Sequence, residues 1–174
     1  QLEGNGANTL NNYGTVTSVT GLTGYALRTG SGADTINNYG VVTGLIELAG
    51  GANAFNNMFG GTLKSGASIG LDNGNMLTNA GTLSPGGASV IQTTSLIGNF
   101  TQTPTGRMLI DTGAPGTNDK LLVSGTASVG GAVQFTSMTN VIGSWTVVTA
   151  SGATPRRPAM TLRADRAPCT VSGM

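Results

Sequence analysis

Gly6-Ala7-Asn8-Thr9-Leu10-Asn11-Asn12-Tyr13-Gly14-Thr15-Val16-Thr17 returns as Gly32-Ala33-Asp34-Thr35-Ile36-Asn37-Asn38-Tyr39-Gly40-Val41-Val42-Thr43. With one residue inserted it returns again as Gly51-Ala52-Asn53-Ala54-Phe55-Asn56-Asn57 through Gly61-Thr62-Leu63. A fourth copy runs Gly74-Asn75-Met76-Leu77-Thr78-Asn79-Ala80-Gly81-Thr82-Leu83. The second Asn of each pair falls at 12, 38, 57 and 79, at intervals of 26, 19 and 22 residues. Self-similarity on this scale means a stacked repeat architecture.

The irregular period, near 22 residues, selects among such architectures. Propeller blades need about 40 residues, and the fixed leucine offsets of leucine-rich repeats are missing. Gly, Asn and Thr in every copy oppose a helical repeat. A coil of three short strands joined by turns fits the length, and extra residues can loop out at a turn without disturbing the strands. The expected fold is therefore all-β, a right-handed parallel β-helix (solenoid) with a β-rich C-terminal cap.

The columns carry the same reading. Leu10, Ile36, Phe55 and Leu77 share one repeat position, and Val16, Val42, Leu63 and Leu83 share another. Between copies, Tyr25-Ala26-Leu27, Leu45-Ile46-Glu47-Leu48 and Ser68-Ile69-Gly70-Leu71 read as a third strand. At about 4.8 Å per coil these columns form aliphatic ladders inside a tube. Asn12, Asn38, Asn57 and Asn79 are expected to stack likewise, their amides hydrogen-bonding up and down. A ligand-binding row is the competing reading; the structural one is preferred because every copy carries its Asn.

Composition excludes several classes. Charged residues are 9% of the chain, net charge is +1, and hydrophobic residues are 38%. Disordered chains combine low hydrophobicity with high charge, and nucleic-acid binding needs a basic footprint. No nucleic-acid partner is expected. With one Cys no internal disulfide can form, which suits passage through an oxidising periplasm. Gln1 to Gly6 offers no charged start before an apolar run, so the sequence is expected to begin inside a repeat rather than at a signal peptide.

From about residue 96 the pattern becomes a period of two. Leu121, Val123, Ala127, Val129, Val133 and Phe135 occupy odd positions, and Lys120, Ser124, Thr126, Ser128 and Gln134 even ones. Trp145, the only Trp, begins another alternating stretch with Val147. Ala114-Pro115-Gly116-Thr117-Asn118-Asp119 is a turn by its chemistry. Residues 154–174 then depart: they hold four of the eight basic residues, three of the six prolines and Cys169. A frameshift, a mis-assigned gene end or a cloning artefact accounts for the change better than a genuine basic tail. The expected organisation is β-helix coils at 1–95, a β segment at 96–153 and a divergent tail at 154–174.

Gly98-Asn99-Phe100-Thr101-Gln102, Gly106-Arg107-Met108-Leu109-Ile110-Asp111, Asn118-Asp119-Lys120-Leu121-Leu122-Val123-Ser124-Gly125-Thr126-Ala127 and Gly130-Gly131-Ala132-Val133 resemble, in order and spacing, the autochaperone region of bacterial autotransporters (type V secretion). The resemblance covers about residues 96–150, and the upstream repeats resemble the passenger β-helix of that family. It implies secretion to the cell surface through the periplasm and outer membrane, and a partner translocator barrel that this chain lacks. It also implies a folding role for 96–153, adhesion, and host surface molecules or self-association as further partners.

Catalytic signals are weak. Gly66-Ala67-Ser68-Ile69-Gly70 satisfies G-x-S-x-G, but that elbow belongs to a strand-turn-helix and needs a His, and the chain has none. Gly30-Ser31-Gly32-Ala33-Asp34-Thr35-Ile36 partly matches a calcium nonapeptide, which recurs every nine residues with Asp; here Asn8 and Asn53 replace it. No catalytic, cofactor or metal residues are expected, and the chain reads as a non-enzyme. The residues singled out, Leu10, Ile36, Phe55, Leu77, Asn12, Asn38, Asn57, Asn79, Leu121, Val123 and Trp145, are structural. The alternative is a carbohydrate-active β-helix, a lyase or depolymerase, which requires paired carboxylates. The seven acids are isolated in sequence, though stacking can bring Asp34 or Glu47 near an acid on the next coil.

Overall fold

A computed structural model describes residues 4–114, 116–137, 143–152, 159–164 and 171–172. Six coils follow one another. The first holds β1 (Thr9–Asn12), β2 (Thr15–Thr17), a 3-10 turn (Gly21–Thr23) and β3 (Tyr25–Arg28). The second holds β4 (Thr35–Asn38) and β5 (Val41–Glu47), and the third β6 (Ala54–Asn57) and β7 (Thr62–Gly70). The fourth has β8 (Met76–Asn79), β9 (Thr82–Pro85) and β10 (Thr93–Ile97), and the fifth β11 (Asn99–Gln102), β12 (Arg107–Thr112) and β13 (Lys120–Val123). The last has β14 (Ala127–Val129), β15 (Ala132–Ser137) and β16 (Gly143–Ala150).

Strands of equal rank stack in parallel, giving three faces. β1, β4, β6, β8, β11 and β14 make the first. The second runs through β2, the first half of β5, the first half of β7, β9, β12 and β15. The third runs through β3, the second halves of β5 and β7, β10, β13 and β16. The chain is a parallel β-solenoid, as the repeat requires. Among the described residues there is no α-helix, and no helix is long and apolar enough to cross a membrane.

Alternation within each strand, one side chain in and the next out, builds the interior. Leu10, Ile36, Phe55, Leu77, Phe100 and Ala127 lie in register on the first face. Val16, Val42, Leu63, Leu83, Met108 and Val133 do so on the second. Leu27, Ile46, Ile69, Leu96, Val123 and Ala150 do so on the third. All three ladders join one apolar core. They pass residue 96 without a break, so the change of sequence pattern there is not a change of architecture.

The corner between the second and third faces is built in two ways. In coils two and three a single strand turns it, bending at Gly44 and at Ser65-Gly66. A Cβ on Gly66 would lie 2.2 Å from the Leu22 carbonyl oxygen, because the 3-10 turn of coil one lies across this corner. In coils four and five the corner opens into loops, 86–92 and 113–119. Beyond coil six the parallel stack ends: β17 (Ala159–Ala164) pairs antiparallel with β16, and β18 (Val171–Ser172) antiparallel with β15. Arg156, Arg157 and Cys169 of the tail, and Pro115 of the predicted turn, lie outside the described residues.

Candidate functional site: side-chain ladders and a buried carboxylate pair

The Asn column is a continuous hydrogen-bonded rail. Asn12 Nδ2 donates to Asn38 Oδ1, Asn38 Nδ2 to Asn57 Oδ1 and Asn57 Nδ2 to Asn79 Oδ1, each at 2.8 Å. Asn79 Nδ2 donates to Gln102 Oε1 at 3.0 Å, and Gln102 Nε2 ends the rail on the Gly130 and Ala132 carbonyls. The second amide proton of each Asn goes to a backbone carbonyl one coil on: Val41, Thr62, Thr82 and Arg107. All five side chains are buried, so their polar capacity is spent inward. A rung makes three such bonds, and losing them costs on the order of 3 kcal/mol in a buried setting. Gln102 escaped the sequence alignment because it is one methylene longer, although Phe100-Thr101-Gln102 repeats Leu77-Thr78-Asn79.

The apolar residues singled out in the sequence also lie inside. Ile36, Phe55 and Leu77 are fully buried, and Leu10, in the end coil, is partly so. Leu121 pairs with Thr94 and Val148, and Val123 with Leu96 and Ala150. Trp145 is buried, with its ring centroid 5.6 Å from that of Phe135.

A second polar row follows the other glycine-flanked position. Asn8 donates both its backbone N–H (3.0 Å) and its side-chain amide (2.8 Å) to Asp34 Oδ1, and the Asp34 N–H donates to Asn53 Oδ1 at 2.9 Å. The Asp34 carboxyl is buried, and its Oδ2 has no hydrogen-bond partner. Among the described residues no three His, Cys, Asp or Glu side chains stand close enough to hold a metal ion. Gly66 through Gly70 lies within the single strand β7. Its glycines have packing reasons: Gly66 clears the Leu22 carbonyl and Gly70 clears the Glu47 carboxylate.

Outside the tube, the polar side chains of the first face bond to one another. Asn37 Nδ2 donates to Asn11 Oδ1 and Asn56 Nδ2 to Asn37 Oδ1, both at 2.9 Å. Beside them the Tyr13 and Tyr39 rings stack at 4.8 Å, only 9° from parallel.

The fold does bring two acids together, and they are neither of those expected to approach a neighbour. Asp111 is the next-to-last residue of β12 and Asp119 immediately precedes β13. Asp119 Oδ1 accepts from the Gln92 N–H at 2.7 Å, and Oδ2 from the Asp111 N–H at 2.8 Å. Asp111 Oδ2 accepts from the Val90 N–H at 3.2 Å, and Oδ1 accepts the Thr136 hydroxyl. The pair thus ties loop 86–92 of coil four to coil five, and coil five to coil six. Asp119 is 0% exposed and Asp111 5%. Burial pushes the Asp119 carboxyl from 3.8 up to about 7, and the Asp111 charge adds to this against the lowering effect of its two backbone hydrogen bonds. Both acids lie in the stretches that carry the family resemblance, but nothing in the sequence marks them as a pair, because that depends on where Val90, Gln92 and Thr136 of neighbouring coils are placed.

No protein-family model matches the chain, and neither a curated protein nor a solved structure matches it.

Proposed function

We propose that this chain is the C-terminal stem of an autotransporter passenger, holding a more distal domain away from a bacterial surface and promoting β-helix folding during secretion. The observation that supports it best is the unbroken polar rail from Asn12 to Gln102 beside one continuous core. Such a rod transmits rigidity along its length and buries its polar groups inward, which suits a spacer. A coil buries its ladders only against a neighbour, so a segment that folds first and templates the rest removes the costly first step. Residues 96–153 are assigned that role, and an outer-membrane barrel is the implied partner. The carbohydrate-active alternative needs accessible carboxylates; the Asp111–Asp119 pair is buried, and each of its four oxygens accepts a hydrogen bond.

Joining the chain to an outer-membrane translocator barrel in a bacterial host tests the reading. The full chain should reach the cell surface in a protease-resistant form, and the same fusion without residues 96–153 should arrive protease-sensitive. Equal resistance of the two would remove the folding role. Failure of the full fusion to reach the surface would remove the stem assignment.

A further inference from the structure

Among the described residues, one buried side-chain nitrogen or oxygen has no hydrogen-bond partner: Oδ2 of Asp34, a residue that is 0% exposed. We propose that Asp34 Oδ2, with the backbone carbonyls of Thr29 and Leu48, binds a calcium ion at the corner leading into the first face. This goes beyond the stem reading and does not depend on it.

The column in which Asp34 stands carries the argument. Asn8, Asp34, Asn53 and Asn75 immediately precede β1, β4, β6 and β8. One side-chain atom of the column accepts: Asn53 Oδ1 takes the Asp34 N–H, and Asp34 Oδ1 takes the Asn8 N–H. The other atom is an amide nitrogen in the three Asn residues, and it donates to corner carbonyls. Asn8 donates to Gly6 at 2.9 Å, Asn53 to Leu48 at 3.0 Å and Asn75 to Gly51 at 3.0 Å. Asn53 Nδ2 also reaches the Leu71 carbonyl of the next coil at 3.4 Å. At Asp34 an oxygen replaces this donor.

Register carries the comparison from Asn53 to Asp34. Arg28 pairs with Glu47 and Glu47 with Gly70, so Thr29, Leu48 and Leu71 are equivalent. Thr29 precedes Asp34 by the same five residues that separate Leu48 from Asn53. The counterparts of the Leu48 and Leu71 carbonyls are therefore those of Thr29 and Leu48. Between these ends the two corners differ, since Gly50 and Gly51 are left-handed and Ser31 and Gly32 are not. The likeness thus extends to Thr29 and Leu48 alone.

An oxygen set among carbonyl oxygens needs a positive centre between them, and buried carboxyls are paired or coordinate metals. Asn8, the residue that bonds to the Asp34 carboxyl, gives both of its N–H groups to Oδ1. Calcium accepts carboxyl, backbone carbonyl and water oxygens in an irregular shell. Two of the ligands are backbone groups, so the site requires neither a second acid nor a recurring Asp. Ser31 and Ala33, on the rim of the corner, are exposed, and water there completes the shell.

Calcium chloride titrated into the whole chain, freed of metal with EGTA, tests this. One calcium per chain should bind with a Kd on the order of 10⁻⁴–10⁻³ M, as expected of a site with one acidic ligand. At ten times that Kd the melting temperature should rise by about 4 °C. Asp34→Asn restores the donor that the neighbouring coils carry, so without calcium it should melt higher than the unaltered chain, and calcium should not move it. Carbon-13 spectra of the unaltered chain should show the Asp34 carboxyl shifting on calcium addition. No response of the unaltered chain would overturn the site and leave Oδ2 to a proton. An equal response of both chains would overturn it, as would carboxyl shifts confined to the other acids. A variant that fails to fold, or melts lower than the unaltered chain without calcium, would overturn it too, because Oδ2 would then already have a partner.

Discussion

Coils two and three and coils four and five share their ladders but solve the same corner differently. In the first pair a continuous strand bends at glycine, beneath a 3-10 turn sent across from coil one. In the second pair the strand stops, a loop leaves, and buried carboxylates catch its N–H groups. Every buried backbone donor needs a partner; when the next strand does not supply it, a side chain must. A solenoid can thus keep its core while varying its corners, which is why its period wanders from 19 to 27 residues.

The comparison holds only if both regions belong to one cooperative stack. Phe55→Ala and Phe100→Ala remove equivalent, fully buried rings from the same ladder on either side of residue 96. Each should cost about 3–5 kcal/mol. In urea, far-ultraviolet circular dichroism and Trp145 fluorescence should shift together for both. If Phe55→Ala moves the dichroism and leaves the Trp145 transition in place, the stack is two units and the shared ladder does not couple them.

The regular part of this arrangement was legible in the sequence because it is periodic. Leu10, Ile36, Phe55 and Leu77, with Asn12, Asn38, Asn57 and Asn79, answer to a neighbour of their own kind one coil away, so alignment alone exposes them. The third strand was equally visible in Ile46 and Ile69. Asp111 and Asp119 were not, since they answer to backbone groups of a loop whose place is set by tertiary structure. Gly66 misled for the opposite reason: its spacing from Ser68 and Gly70 mimics a nucleophile elbow, whereas its lack of a side chain answers to a carbonyl 44 residues earlier, at Leu22.

Gly66 also measures how tight the strand-turned corner is. In a Gly66→Ala variant the new methyl would meet backbone at Leu22 and the Leu45 side chain at 2.8 Å. β7 cannot retreat without breaking ladder bonds, and the meeting at Leu22 is with backbone rather than with a flexible side chain, so a loss of about 3 kcal/mol is expected. At the loop-turned corner, a Cβ on Gly87 would meet only Lys64 side-chain atoms, at 3.5 Å or more. Gly87→Ala should cost about 1 kcal/mol, the strain of its φ of +71°. Thermal melts that rank the two variants in reverse would mean that the loop, not the bend, is the rigid corner.

The smallest effect is expected at Ser89, and it separates local strain from global stability. Ser89 has a φ of 63°, a left-handed conformation that costs a side-chain-bearing residue about 1 kcal/mol. It immediately precedes Val90, whose N–H is held by Asp111. Ser89→Gly relieves the strain but adds freedom to the unfolded chain worth about 0.4–1 kcal/mol. The two terms nearly cancel, so stability should change by less than about 0.5 kcal/mol. Opening of the loop alone involves the same two terms, because the closed loop is relieved of the strain and the open loop gains the added freedom. Exchange at the Val90 amide should therefore change as little as the melting temperature. A melting temperature that rises as if by more than about 1 kcal/mol would mean that the strain is borne by the whole solenoid. In that case the loop-turned corner would be as firmly built as the glycine bend, and the contrast between the two would fail.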